Sequence, residues 1–197
     1  MPTPRAAVIH DLSGFGRCSL TEVIPILSVM GVQCCPLPTA FLSTHTGGFT
    51  GFTFLDMTEE LPKAARHWKS LGLHFQAIYS GFLGSEEQIG IVADFIRTFR
   101  TPGTLVVVDP VMGDHGRAYQ TYTPAMCAGM ERLAALADVI TPNLTEAAFL
   151  LGRDYGDLLD GGRALHDEAA LRELAEAPSL GGTRPVALTG AALSPGQ

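Results

Sequence analysis

Two acidic clusters carry much of the chemistry open to this sequence. Asp109-Pro-Val-Met-Gly-Asp114 brackets a short loop with two carboxylates directly after the apolar run Leu105 to Val108. Such a pair suits magnesium, which is commonly held by one or two carboxylates together with phosphate oxygens and water. The competing role for Asp109 is to cap a turn by accepting loop amides. In Thr141-Pro-Asn-Leu-Thr-Glu146, Asn143 and Glu146 stand at capping-box spacing, a role that needs no ligand. Asp11 lies in His10-Asp-Leu-Ser-Gly-Phe-Gly-Arg17. It can accept hydrogen bonds from the hydroxyl or ring-nitrogen groups of a small substrate, or sit solvated in a turn. That loop lacks the third glycine of a dinucleotide fingerprint, and no Gly-Lys-Ser or Gly-Lys-Thr phosphate loop occurs. His45 sits in an uncharged Thr and Gly stretch, where Phe41, Phe49, Phe52 and Phe54 are either a wall for a planar ring or ordinary core.

The elements that must position these residues alternate between strand-like and helical patterns, the mark of an α/β fold. Strands are expected at Ala6 to His10, Val32 to Leu37, Ala77 to Ser80, Leu105 to Val108, Val139 to Thr141 and Val186 to Thr189. The continuous β-branched run at 105–108 predicts a mostly parallel sheet covered by helices. Capping boxes at Ser19–Glu22 and Asp56–Glu59 predict helices ending near Gly31 and Gly72. Ser85 with Gln88, Thr123 with Pro124, and Asn143 each open a further helix, and Ala164 to Ala177 reads as a polar-faced one. The segment 39–55 reads as a loop or flap, and 154–162 as a connector between helices. In parallel α/β sheets ligands sit at the carboxyl ends of strands. The clusters above fall there.

Composition narrows the function classes. The 197 residues are 46% hydrophobic and 17% charged, which predicts a packed globule forming a single domain. A net charge of -7 provides no basic field for nucleic acid. The uncharged stretch from Val23 to Leu55 is broken by Pro36, Pro38 and a polar run, so no membrane span is expected. Met1 to Arg5 precede no signal-like apolar region, and the expected location is cytoplasmic. Cys18, Cys34, Cys35 and Cys127 form no Cys-x-x-Cys pair and are expected to be buried free thiols rather than zinc ligands.

Asp109-Pro-Val-Met-Gly-Asp114, Ile140-Thr-Pro-Asn-Leu-Thr-Glu146, Pro36-Leu-Pro-Thr39 with Ser43-Thr-His-Thr-Gly47, and Ser80-Gly-Phe-Leu-Gly84 occur in one succession. Together they resemble the pyridoxal and pyridoxamine kinases of the ribokinase superfamily. The resemblance implies a three-layer sandwich and transfer of the ATP γ-phosphoryl group to the 5'-hydroxymethyl of a vitamin B6 pyridine. It further implies magnesium as cofactor and a homodimer. Asp11, His45, Thr46, Gly47 and Phe82 match substrate-side positions of that family. Asp109, Thr141 and Glu146 match positions beside the ATP phosphates and magnesium, with Asn143 completing the Asn-x-x-Glu element, and the residue reading above adds Asp114 as a magnesium carboxylate. Family members carry a later Gly-x-Gly-Asp segment that supplies an anion hole and the catalytic base, and the sequence up to Gln197 contains no such segment. The resemblance therefore leads us to expect a sheet truncated on its C-terminal side that self-associates, is complemented by another chain or is only marginally stable, and no catalytic base within these residues. A non-catalytic B6- or nucleotide-binding relative and a hydroxymethylpyrimidine kinase are the alternative functions.

Overall fold

The structure, a computed structural model, describes residues 3–119, 122–158, 168–176 and 184–190. Two compact units divide it, Met1–Val107 and Val108–Gln197.

In the first unit, strands β1 (Arg5–Ser13), β2 (Gln33–Leu42), β3 (Phe54–Asp56), β4 (Ala77–Ser80) and β5 (Leu105–Val108) form one sheet in the order β3-β2-β1-β4-β5. β1 runs parallel to both β2 and β4, while β3 is antiparallel to β2. β1 and β2 outrun their sequence expectation. Pairing shifts register between His10 and Leu12 and resumes at Leu12↔Phe41 and Ser13↔Leu42, so the bulge re-aims Asp11 without ending the strand. Pro36 and Pro38 are tolerated in β2 because β3 reaches only Ala40 to Leu42. Their missing N–H groups cost no ladder bond on an unpaired flank.

Helices α1 (Ser19–Val29), α2 (Glu60–Ser70) and α3 (Glu86–Phe99) belong to this unit. The outward-pointing apolar residues of β1 pack on α1, with Ala6, Val8 and Leu20 at the centre and Leu12, Val23 and Leu27 around them. Trp68, Phe75, Phe95 and Phe99 stack into a second cluster, with Phe95 and Phe99 ring centroids 4.5 Å apart. Two expected capping boxes are not formed. Ser19 is the first helical residue of α1, at φ +54°, and Cys18 occupies the N-cap without a side-chain bond. Ser19 bonds Asp11 instead. Before α2, Asp56 Oδ1 accepts the Thr58 amide at 2.8 Å, an Asx turn that leaves Glu59 as an uncapped N-cap.

The second unit begins at Val108, whose carbonyl accepts the Thr141 amide at 3.1 Å. β6 (Gly113–Asp114) and β7 (Arg117–Ala118) form an antiparallel hairpin. Helix α4 (Pro124–Ala134), strand β8 (Val139–Ile140) and helix α5 (Leu144–Leu151) follow, then the single turn α6 (Tyr155–Leu158) and α7 (Glu168–Glu176). Thr123 caps α4 by accepting the Met126 amide at 3.2 Å. The expected strand at Val186 to Thr189 is realised as two parallel bridges, Ile140↔Val186 and Asn143↔Thr189. The outer turns of the helix expected at Ala164 to Ala177, and most of the 154–162 connector, lie outside the described residues. All four cysteines are free and half-buried. No helix among the described residues is long and apolar enough to cross a membrane.

Candidate active site

At the carboxyl end of the first unit's sheet, three strand ends converge on the substrate-side candidates. Asp11, at the β1 bulge, is buried, with Oδ1 2.8 Å from His10 Nδ1 and Oδ2 accepting the Ser13 hydroxyl at 2.8 Å. Burial raises the Asp11 carboxyl, but the bond and charge of His10, with the Ser19 and Ser13 hydroxyls, outweigh it and hold the group below the usual aspartate range. The His10 ring lies where a side chain at residue 81 would be. A Cβ on Gly81 would overlap His10 Cδ2 and Nε2, so any larger residue at this position after β4 must displace the His10 ring.

The flap meets the β1 loop through its backbone. The Gly14 amide donates to the Leu42 carbonyl at 2.8 Å, and the His45 amide to the Phe15 carbonyl at 3.2 Å. The Gly47 amide donates to His45 Nδ1 at 3.1 Å, which leaves the proton of the neutral ring on Nε2. The ring sits edge-on to Phe49 at 4.9 Å, and Phe49 in turn stands edge-on to Phe15 at 5.8 Å. Gly16, at φ +120°, has no room for a Cβ beside His45. Phe15 and Phe49 are exposed, at 64% and 39%. Of the residues read as a possible wall, Phe41 and Phe54 are also exposed, so this aromatic group is surface rather than core. Thr46 is half-buried and Gly47 exposed beside it. Phe82 is buried, and its carbonyl accepts the Thr39 hydroxyl at 2.9 Å.

The second unit assembles the phosphate-side candidates around the start of α5. Asn143 and Glu146 form a complete capping box: Asn143 Oδ1 accepts the Glu146 amide at 3.0 Å, and Glu146 Oε2 accepts the Asn143 amide at 2.8 Å. The same side chains also grip the preceding loop. Glu146 Oε1 accepts the Met112 amide at 3.1 Å, and Asn143 Nδ2 donates to the Gly113 carbonyl at 2.9 Å. Thr145 Oγ1 accepts the Gly116 amide at 2.9 Å, which ties the β6–β7 hairpin to the helix. Glu146 is 3% exposed. Burial pushes its carboxyl up to about 8, with the Asp109 charge adding to the rise against the amides of Asn143, Met112 and Gly113.

Asp109 is half-buried and Thr141 follows β8, joined to Val108 through its amide. Asp114 lies in the exposed hairpin, where its Oδ1 accepts the His115 amide at 2.8 Å. Among the described residues no three His, Cys, Asp or Glu side chains gather as a ready-made metal cage. The chemistry of the donor set nevertheless fits a magnesium ion shared with phosphate oxygens, since a carboxyl raised by burial, and further by the Asp109 charge, is relieved by a cation.

Three residues beside the candidates carry little signal in the sequence. His10 was read as the last residue of a strand, although a histidine next to an aspartate at a strand's carboxyl end was the available signal. Gln88 was read only as a helix-cap partner. Tyr119, whose hydroxyl is raised by burial and by the charges of Asp114, Glu146 and Asp109, carried no motif at all.

With this geometry in place, comparison with known proteins gives the class. The phosphomethylpyrimidine kinase family matches residues 24–175. The chain belongs to that family, and its α/β architecture with a mostly parallel sheet is the ribokinase-like fold of its structural neighbours. A Bacteroides thetaiotaomicron protein described as a phosphomethylpyrimidine kinase, solved with pyridoxal, is 48% identical with a TM-score of 0.86, over 97% of this chain and 64% of its own. The pyridoxal kinase of Lactobacillus plantarum is 33% identical with a TM-score of 0.77, over 96% of this chain and 62% of its own. The hydroxymethylpyrimidine/phosphomethylpyrimidine kinase of Rhizobium meliloti is 30% identical over 175 residues, 89% of this chain and 60% of that relative. The chain thus spans 60% of the length of the Rhizobium kinase and of a Vibrio parahaemolyticus pyridoxal kinase.

Proposed function

We propose that this chain belongs to an ATP-dependent kinase for the 5'-hydroxymethyl group of a vitamin B6 pyridine. The observation that carries this reading is the substrate-side cluster of the first unit: the His45 ring, with its proton on Nε2, is packed between Gly16 and Phe49, and aromatic surface lies open next to it. That arrangement offers a planar heteroaromatic ring edge and face contacts and a hydrogen-bond donor. Support comes from the relative that holds pyridoxal, to which nearly the whole chain is similar. Phe82 and Asp11 line the same strand ends, Phe82 through its backbone fixed by Thr39 and Asp11 through its ionised carboxylate.

On the phosphate side, Asp109 and Glu146 are the residues that would hold magnesium, with Thr141 and Asn143 close in sequence to receive phosphate oxygens and Asp114 as a third carboxylate. Magnesium, when bound, supplies positive charge that offsets the charge developing on the transferred phosphoryl group. The reaction joins the hydroxymethyl oxygen to the γ-phosphorus, breaks its bond to ADP and releases the hydroxyl proton. Glu146 and Asn143 contribute orientation, because their capping box sets both the loop at 112–113 and the start of α5.

Hydroxymethylpyrimidine is the second reading, favoured by the family match and the Rhizobium relative. A coupled ADP-release assay with pyridoxal, pyridoxamine and hydroxymethylpyrimidine, run beside ligand-induced melting shifts, separates them. Turnover or stabilisation with the pyridines supports the first reading, and preference for the pyrimidine establishes the second. Stabilisation by pyridoxal with no ADP release under magnesium ATP marks a binding protein instead.

A further inference from the structure

Gln88 is completely buried in the first turn of α3, yet its side chain makes no bond within that helix. Its Oε1 accepts the Gly84 amide at 2.8 Å. Its Nε2 lies 2.9 Å from the Thr39 carbonyl, 2.9 Å from Thr58 Oγ1 and 3.0 Å from Asp56 Oδ1. The orientation of the amide is fixed by these neighbours, since one side offers an N–H and the other three acceptors. Thr58 Oγ1 donates to Asp56 Oδ1 and so is free to accept from Gln88. The Thr39 carbonyl uses its second lone pair for the Met57 amide at 3.1 Å.

These contacts have a common geometry. Thr39 lies in β2 just before Ala40, where pairing with β3 begins at the base of the flap, and Asp56 to Thr58 is where the chain leaves that pairing. Gly84 closes the short loop after β4 that carries Phe82, and Phe54 of β3 packs against Gly84 so closely that a Cβ there would lie 3.2 Å from its Cζ. Thr39 adds a second tie through its hydroxyl, which donates to the Phe82 carbonyl at 2.9 Å. Both roots of the flap and the Phe82 loop are therefore fastened to one buried side chain and one buried hydroxyl, with Asp56 exposed and Gly84 half-buried at the outer ends of the bonds. Hydrogen bonds so buried are expensive to leave half-made, which makes the arrangement rigid.

We propose that Gln88 and Thr39 are positioning residues for the ring substrate, holding the two roots of the flap and the Phe82 loop in a single fixed relation. This rests on the reading of the flap and Phe82 as the ring-binding side. Neither residue touches the ring in this proposal; each acts through the backbone of the residues that do.

The test measures the affinities of pyridoxal and of magnesium ATP separately, on Thr39→Val, Thr39→Ser and Phe82→Ala. Thr39→Val keeps the shape and removes the hydroxyl. Its pyridoxal Kd is expected to rise about tenfold, the order of one buried hydrogen bond, with the magnesium ATP Kd unchanged and Thr39→Ser restoring the parent value. Equal weakening of both ligands, or no rescue by serine, assigns Thr39 a general structural role and overturns the proposal. An unchanged pyridoxal Kd in Thr39→Val, with a weakened one in Phe82→Ala, also overturns it while leaving the ring-binding reading intact. If Phe82→Ala binds pyridoxal as the parent does, the reading of the site itself fails. Should Thr39→Val not fold, Thr58→Ala carries the test, because it removes one of the acceptors of Gln88: about a threefold loss of pyridoxal affinity is expected, and no loss overturns the proposal.

Discussion

Around Gln88, in the first unit, neutral donors and acceptors close on one another, and the one carboxylate that joins them is held by hydroxyl and amide donors. The Thr58 hydroxyl bond is the largest influence on Asp56 and keeps its carboxyl below the usual range. Around Glu146, in the second unit, the donors are as numerous but burial and the Asp109 charge prevail, and the carboxyl is raised to about 8. The first region is built to hold a shape, and the second holds a carboxyl that burial biases toward its protonated form. Perturbed carboxylates of the second kind cluster at functional sites.

Charging the first region should abolish this contrast. In Gln88→Glu a buried carboxylate oxygen replaces the amide nitrogen that faces the Thr39 carbonyl and Asp56 Oδ1. The expected loss is on the order of 3 kcal/mol or more, from a buried anion set against acceptors. Denaturant unfolding reads it directly, and a loss below about 1 kcal/mol would mean that the site is wetter than its burial implies.

Protonation is the corresponding handle on the second region. The folded pKa of Glu146 lies above the ordinary glutamate value, so between about pH 4.5 and 8 the native state binds more protons than the unfolded chain. Its contribution to stability is then complete below about pH 4.5 and is lost as pH rises through about 8. The parent minus Glu146→Gln difference in unfolding free energy should therefore fall across this window, isolating the group from other titrations. A flat difference would show that Glu146 is ionised throughout. In binding, Glu146→Gln is expected to weaken magnesium ATP and spare pyridoxal. Equal loss of both would leave Glu146 with its capping role alone.

Gly81→Ala probes how tightly the first region is filled. The added methyl needs the space of the His10 ring, so the ring must move and its contact with Asp11 must break. A cost of about 2 kcal/mol is expected, typical of overpacking in a close-packed site. Calorimetric melting tests it, and an unchanged Tm would show that His10 has another place to go.

How much of this was legible beforehand follows from the range of the interactions. Asn143 with Glu146 and Thr123 with Pro124 were readable because a helix cap is decided within four residues, and the structure makes those bonds. The strand at Leu105 to Val108 was equally plain from its apolar run. Ser19 and Asp56 had the right spacing for caps but were drawn away by partners that local spacing does not show, Ser19 by Asp11 and Asp56 by Thr58 and Gln88. Gln88 shows the limit most clearly. Its amide backbone bond to Ser85 was predictable at three residues' separation, whereas its side-chain partner Thr39 lies 49 residues away and leaves no pattern in the chain. Asp109 and Glu146 were legible as residues, but the reason Glu146 differs from an ordinary helix cap is its burial, a tertiary property.

The smallest expected effect sharpens the comparison by making one chemical deletion in both regions. Thr145, like Thr39, is buried and uses its hydroxyl once on backbone: it accepts the Gly116 amide and fastens the β6–β7 hairpin. Thr145→Val should cost about 1 kcal/mol, the usual net value of such a bond. Gly116, at φ +76°, already lies against the Tyr155 ring, so contact on its other flank remains and the hairpin should loosen rather than detach. Hydrogen exchange locates the effect: the Gly116 amide should exchange faster, while the amides of Met112 and Asn143, held by Glu146, keep their protection. Faster exchange at all three would mean that the hairpin and the carboxylate loop open together. The second region would then be a single cooperative unit like the first, and the contrast between them would rest on charge alone.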